Sequence, residues 1–482
     1  MSLVKVGRSF IYSALLVAFW FPASNLQVTG QSLAQESAPK GPVYVVQAGD
    51  TIWDIAQSFR VSMEELMSIN GITNPGQLSE GAQLVIPGLD GIEGVLTTKT
   101  IPYGETLFSL SKRYGIPKET LSQLNHVISP AELYAGATLI IPQSNAEIPA
   151  VRREILRSGQ SILELAVLRD VNPWDFLTIN ALETTWEASP GEILLLPGVG
   201  GKADVPGGLP EGVDQVKISP LPFLQGKVSV LNVKAQEGTS LNGVFMGHNL
   251  HFFGEAGELI ALQGVHAMTE PGVYPLVITG TLADQTPFSF SQMVGVGSVD
   301  YPYDKPLTVD PATIDPAVTK PEEAEWSALA SQATPVRYWS GAFLMPSPLP
   351  QDYCLETGDC WSSRFGNRRS YNGSSYEYFH TGLDVVGGTG TEIYAPAAGI
   401  VVFAGPLTVR GNATMIDHGW GVYTGYMHQS EIIVKVGDRV EPGQLIGLVG
   451  GTGRVEGPHL HLEVWVGGVQ VDPLDWLSQA YP

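Results

Sequence analysis

Gly457-Pro458-His459-Leu460-His461-Leu462-Glu463-Val464 opens a strand-like run over residues 459–466, entered through a Gly-containing turn. Side chains two apart on a strand share a face at roughly 6 to 7 Å, so His459 and His461 look the same way. A second pair lies upstream. His380-Thr381-Gly382-Leu383-Asp384 places an imidazole and a carboxylate four apart, again on one face of an extended chain. Five of the nine histidines fall in residues 380–482, among further strand-like runs at 399–405, 421–428 and 444–450. A zinc ion takes about four nitrogen, oxygen or sulfur ligands at roughly 2 Å, and a catalytic zinc keeps one position for water, so three protein ligands are enough. A single strand histidine is ordinarily satisfied by a backbone carbonyl. The weight therefore rests on the motifs occurring together.

A third element, Tyr426-Met427-His428, stands between the two pairs. With it, residues 343–477 resemble the catalytic domain of the lysostaphin/LytM-type zinc endopeptidases. Arg364-Phe365-Gly366, Ile416-Asp417-His418-Gly419 and Val471-Asp472-Pro473-Leu474 agree with that pattern. The resemblance implies a mainly antiparallel-β catalytic domain over 341–482, one Zn2+ per chain held by His380, Asp384 and His461, and hydrolysis of cross-link or stem peptides of peptidoglycan. It also implies that His428 and His459 flank the attacking water. An imidazole has a suitable pKa to take the water's proton; His459 is assigned as general base and His428 as its partner in stabilising the tetrahedral oxyanion, roles that can be exchanged. His418 is read as structural, and Tyr376 and Tyr378 are left unassigned. No cysteine adjoins a histidine motif and no G-x-S-x-G elbow precedes a helical pattern, so nucleophilic serine or cysteine chemistry has no support.

The front of the chain repeats. Gly49, Gly104 and Gly159 are 55 apart, as are Asn70, Asn125 and Asn180, Gly81, Gly136 and Gly191, and Pro87, Pro142 and Pro197. Each copy reads strand, helix, helix, strand, over residues 43–88, 99–143 and 151–198. The first copy, with Gln47-Ala48-Gly49-Asp50-Thr51-Ile52-Trp53 and Asn70 behind it, resembles the LysM module, which implies binding of N-acetylglucosamine-containing glycans, chiefly peptidoglycan, in a shallow groove beside the first helix. Asp50 is expected to cap that helix. The match weakens towards the third copy, read as degenerate with a purely structural role as its alternative, and a protein-protein spacer is the alternative for the whole array.

The chain has 482 residues, 44% hydrophobic and 15% charged, with 55 Gly and 35 Pro, which suits several domains rich in short strands and turns. Its 26 basic residues against 48 acidic ones leave a net charge of −22, which disfavours nucleic acid and anionic lipid as partners. Lys5 and Arg8, an apolar run from 10 to 22 and Ser32-Leu33-Ala34 have the layout of a cleaved signal peptide, 1–34. That run is shorter than the roughly 20 apolar residues that span a bilayer, and no other apolar stretch of its length lacks charge or Gly/Pro breaks. The expectation is a secreted, wall-associated monomer with peptidoglycan as partner and no stable membrane span after signal cleavage; an uncleaved signal is the alternative. Cys354 and Cys360 are expected to form a local disulfide. Alternating segments over 216–300 predict an Ig-like β-sandwich in which His248 and His251 are structural, and 301–340 reads as a Pro-rich linker with one short helix after Pro321, serving as a spacer. The non-enzymatic alternative is a wall-bound regulator whose hydrolase-like domain no longer cuts; such domains lose ligands or catalytic histidines, whereas all five positions are intact here.

Overall fold

A computed structural model describes residues 41–482 except 90–91, 93, 128–131, 144–151, 158, 191, 197–208, 211, 256 and 358. The expected signal peptide lies outside the described residues. The first repeat runs Val43–Val45, Ile52–Phe59, Met63–Ile69 and Gln83–Val85; the second Val95–Thr100, Leu107–Tyr114, Lys118–Leu124 and Thr138–Pro142; the third Arg152–Ile155, Ile162–Leu168, Pro173–Ile179 and Ile193–Leu196.

The 55-residue period has a physical basis. Gly49, Gly104 and Gly159 take φ of +90°, +91° and +80°, a turn conformation that residues with a Cβ rarely adopt. Asn70 donates from Nδ2 to the carbonyls of Leu66 and Val85, both at 2.8 Å, and accepts from the Val85 N–H at 2.7 Å. Asn125 and Asn180 do the same in their copies, so one side chain ties the second helix to the closing strand. The helix cap differs from expectation. Thr51 caps the first helix by accepting from the Asp54 N–H, and Asp50 instead accepts from the Tyr44 hydroxyl at 2.8 Å and the Gln47 N–H at 2.7 Å. Thr106 and Ser161 cap the matching helices through capping boxes, so the hydroxyl also keeps the period.

Repeats one and two share one four-stranded sheet, because Val43–Val45 pairs with Gln83–Val85 antiparallel and with Val95–Thr100 parallel; the third has its own two strands. The middle segment forms a five-stranded and a four-stranded sheet around a shared core that includes Phe223, Leu231, Phe245, Leu276 and Val294. A ten-stranded sheet follows, with the order Trp361–Ser363, Leu383–Val386, His459–Val466, Val422–Ile432, Gly411–Gly419, Gly399–Leu407 and Arg439–Val440 along its main path. Val228 and Leu262 of the middle sheets share a core with Phe343, Val464, Val466 and Trp476, and Lys227 bonds Asp472 and Asp475 across the same boundary. Cys354 and Cys360 are disulfide-bonded. No helix among the described residues is long and apolar enough to cross a membrane.

The expected spacer is corrected. Its helix runs over Pro316–Ala330, not from beyond Pro321; Asp315 caps it and Pro316 takes the first turn, where a missing N–H is harmless. Trp326 and Ala330 are buried against Met415, Tyr423, Met427 and Trp465, so the helix is part of the C-terminal domain's core. Residues 303–307 likewise run beside the C-terminal domain, bridging at Tyr303 to Arg368 and at Leu307 to Tyr371. The segment is not a spacer because its apolar residues have a face to bury.

Candidate metal centre

Strand register assembles the centre. Leu383–Val386 lies antiparallel to His459–Val466 with Asp384 directly opposite His461, so their side chains meet on one face. His380 reaches the same point from the turn before. Gly382 allows this approach, since a Cβ there would stand 2.2 Å from the Leu462 carbonyl oxygen.

The result is a triangle. His380 Nε2 is 2.9 Å from Asp384 Oδ1 and 3.0 Å from His461 Nδ1, and that Nδ1 is 2.8 Å from the same carboxylate oxygen. All three residues are buried. Their remaining atoms are already engaged. His380 Nδ1 faces the Arg364 carbonyl at 2.9 Å and Ser363 Oγ at 3.1 Å, which assigns its proton to Nδ1. His461 Nε2 faces Thr381 Oγ1 at 3.4 Å and Glu463 Oε1 at 3.6 Å, which assigns its proton to Nε2. Asp384 Oδ2 accepts from Arg369 Nη2 at 2.9 Å. With both imidazoles neutral, two lone pairs and a carboxylate oxygen point at one another, an arrangement that repels itself unless a metal ion or a proton sits among the donors. Two nitrogens and one oxygen form a donor set that zinc accepts, and acceptors behind each imidazole orient it as metal-ligating histidines require. The residues fit the group.

Burial and the Arg369 charge push His380 down to about 4. Burial alone would raise Asp384, but the surrounding histidines hold it well below the usual carboxylate range. Burial lowers His461, yet its bonds with Asp384 and Glu463 outweigh that and leave it raised.

His428 and His459 stand beside the triangle. Their rings are 5.1 Å apart, and His428 is 5.9 Å from the His461 ring. His459 Nε2 lies 3.4 Å from Asp384 Oδ1. His428 has φ +63° at a register shift between the 411–419 and 422–432 strands, so a bulge turns its ring inward. His428 Nδ1 donates to the Thr452 carbonyl and His459 Nδ1 to the Gly457 carbonyl, each at 2.8 Å, which leaves both Nε2 atoms as proton acceptors. Burial, then the neighbouring histidines, hold His428 well below its ordinary value. The five sequence-identified residues thus come together: Asp384, His428, His459 and His461 line a groove of about 690 Å³ with Tyr303, Asp304, Lys305, Arg454 and Glu456, and His380 is buried beneath it.

His418 is elsewhere, buried with Nδ1 at 2.7 Å from the Ala398 carbonyl and Nε2 at 2.8 Å from Thr424 Oγ1. The Tyr376 hydroxyl donates to the Asp304 carbonyl at 3.0 Å. His248 and His251 line a separate small cavity with Trp420.

Sequence reasoning missed the supporting residues. Asp304, from the supposed spacer, accepts from Ser363 Oγ at 2.8 Å and from Arg369 Nε at 3.2 Å. Glu322 accepts the backbone N–H groups of Val409 and Arg410 at 2.8 and 3.0 Å, and the Arg410 carbonyl accepts from the His428 N–H at 2.9 Å. Trp326 Nε1 donates to Glu463 Oε2 at 2.9 Å, behind His461. None carries a local signal, since each is distant in sequence from the group it supports.

Residues 378–473 match the profile of Peptidase family M23, and residues 44–87 and 100–142 match that of the LysM domain. Peptidoglycan DD-endopeptidase ShyC of Vibrio cholerae is 41% identical over 112 residues, 23% of this chain and 26% of that protein. Peptidoglycan DD-endopeptidase ShyA of the same organism is 42% identical over 113 residues, with the same shares. The chain thus spans about a quarter of the length of these curated relatives. A crystal structure of a putative peptidase M23 from Pseudomonas aeruginosa aligns at 28% identity with a TM-score of 0.40, covering 53% of this chain and 94% of that one. The matched stretch from 378 to 473 contains His380, Asp384, His428, His459 and His461, and the chain carries an M23 peptidase domain behind two LysM domains.

Proposed function

We propose that this chain is a secreted, zinc-dependent peptidoglycan endopeptidase, cutting cross-link or stem peptides while its repeats hold it on the wall. The observation that carries the reading is the triangle of His380, Asp384 and His461, three acceptor atoms within 3.0 Å of one another whose outer atoms already have partners. Zinc held there would polarise the scissile carbonyl and bring the pKa of a water towards about 7.

The chain's own groups supply the rest. His459 Nε2, an acceptor at the edge of the groove, takes the proton of the attacking water and returns it to the leaving amine. His428 Nε2 is an acceptor in its resting state as well, so it orients the water; donating to the oxyanion requires that it first gain a proton. Arg369, itself held by Asp304, bonds the far side of the Asp384 carboxylate, and Glu463 stands on the far side of His461. Tethering through weak glycan sites raises the local concentration of cleavable bonds without altering the active site.

Incubation of the full chain with purified sacculi should release peptides with new amino termini, identified by mass spectrometry. Metal analysis should find about one zinc per chain, and His461→Ala should lose metal and cleavage together. Unchanged sacculi at full zinc occupancy would favour the wall-bound regulator.

A further inference from the structure

The first two repeats present equivalent loop pairs beside the N-terminus of their first helix, 47–51 with 78–82 and 102–106 with 133–137. In the first copy these loops face solvent: Gln47, Ala48, Gly49, Ser79, Glu80 and Gly81 are all exposed. In the second they do not. Tyr103 is buried, its hydroxyl donating to the Leu276 carbonyl at 2.9 Å and its ring meeting Phe290 edge-on at 5.3 Å.

Strand Pro287–Gly297 of the middle sheets touches both loops of the second copy at once. Gln292 Oε1 accepts from the Gly104 N–H at 2.6 Å and Gln292 Nε2 donates to the Glu105 carbonyl at 3.1 Å. In the other loop, the Ala135 N–H donates to the Met293 carbonyl at 2.9 Å and the Ala135 carbonyl accepts from the Gly295 N–H at 2.8 Å. One carboxamide thus satisfies a backbone donor and a backbone acceptor one residue apart. The acetamido group of an N-acetylated sugar likewise offers one N–H donor and one C=O acceptor. The loop is further locked from behind, because Glu105 is buried against Arg113 and Arg153, the latter at 3.1 Å from both carboxylate oxygens.

We propose that the second repeat's loop pair is filled by its own chain, with Gln292 standing where the acetamido group of a wall glycan would bind. The second LysM domain is then a bracket that fixes the repeats to the middle sheets, and of the two LysM domains only the first offers an open glycan site. The inference rests on the glycan-binding reading of the repeats.

Hydrogen exchange on the full chain, with and without a soluble N-acetylglucosamine oligomer, tests it. The expected result is slow exchange at 102–106 and 133–137 in the free chain, with oligomer-dependent slowing at 47–51 and 78–82 only. Further slowing at 102–106 together with faster exchange at 287–297 would overturn it, since the sugar would then be displacing the strand. Gln292→Ala provides a ligand-free arm: exchange at 102–106 should accelerate at least tenfold, and an unchanged rate would overturn the docking claim. If neither loop pair responds to the oligomer while Gln292→Ala still accelerates exchange, the glycan reading fails, and with it the surrogate role of Gln292.

Discussion

Asp384 shows how a single residue is used twice. Its Oδ1 faces the imidazoles of His380, His461 and His459 while its Oδ2 receives Arg369, so the carboxylate is held rigid before any ion arrives. Asp384→Asn keeps the shape but replaces one acceptor oxygen with an NH2 group and removes the charge. Metal affinity should fall by at least tenfold, read by competition with a chromogenic chelator. His418 makes the opposite case, a buried histidine with both nitrogens satisfied and no free lone pair. Burial pushes it down to about 4, from an ordinary value near 6.5. The unfolded chain therefore binds more protons between those pH values, and this contribution to stability is present above about 6.5 and lost as pH falls towards 4. At about 1.4 kcal/mol per unit the loss approaches roughly 3 kcal/mol. Chemical denaturation at pH 7 and pH 4.5 should show a smaller difference for His418→Gln than for the parent, whatever the variant's absolute stability.

At the scale of elements, the Pro316–Ala330 helix acts through two contacts. Trp326 reaches Glu463 behind His461, and Glu322 holds the turn whose Arg410 carbonyl binds the His428 backbone. Trp326→Phe retains most of the buried ring but deletes the donor, and should weaken metal binding about tenfold with little change in the melting of the metal-free chain. Equal metal affinity in parent and variant would reduce the helix to packing alone. The repeats obey the same logic. Asn70→Ala removes three hydrogen bonds between helix and strand and should destabilise the first repeat by about 1–3 kcal/mol, measurable as earlier proteolysis within residues 43–88.

Across the whole molecule, the described residues from 41 onward cohere through shared cores and buried ion pairs. Glu105 and Arg153 join the second repeat to the third. Burial alone would raise Glu105, but Arg153 and Arg113 hold it low. Arg153→Met should therefore destabilise the chain by about 3 kcal/mol. The double variant with Glu105→Gln should cost less than the sum of the two single changes, because no buried charge is left uncompensated. Thermal unfolding of the four chains completes that cycle.

The sequence by itself determined what is local or periodic. Turn glycines, the strand-tying asparagines and the hydroxyl caps recur every 55 residues because each acts within its own repeat. His459 with His461 was legible because strand periodicity puts the pair on one face, and His380 with Asp384 by their spacing, although the chain bends at Gly382 and does not run extended between them. Tertiary structure decided what depends on register and packing: that Asp384 stands opposite His461, that a bulge turns His428 inward, and that the Pro-rich stretch supplies Asp304, Glu322 and Trp326 to the site. It also decided that the second repeat is closed by Gln292, 188 residues from Gly104. Such contacts leave no pattern in the chain, because any residue of suitable shape and polarity can serve once folding has brought it there.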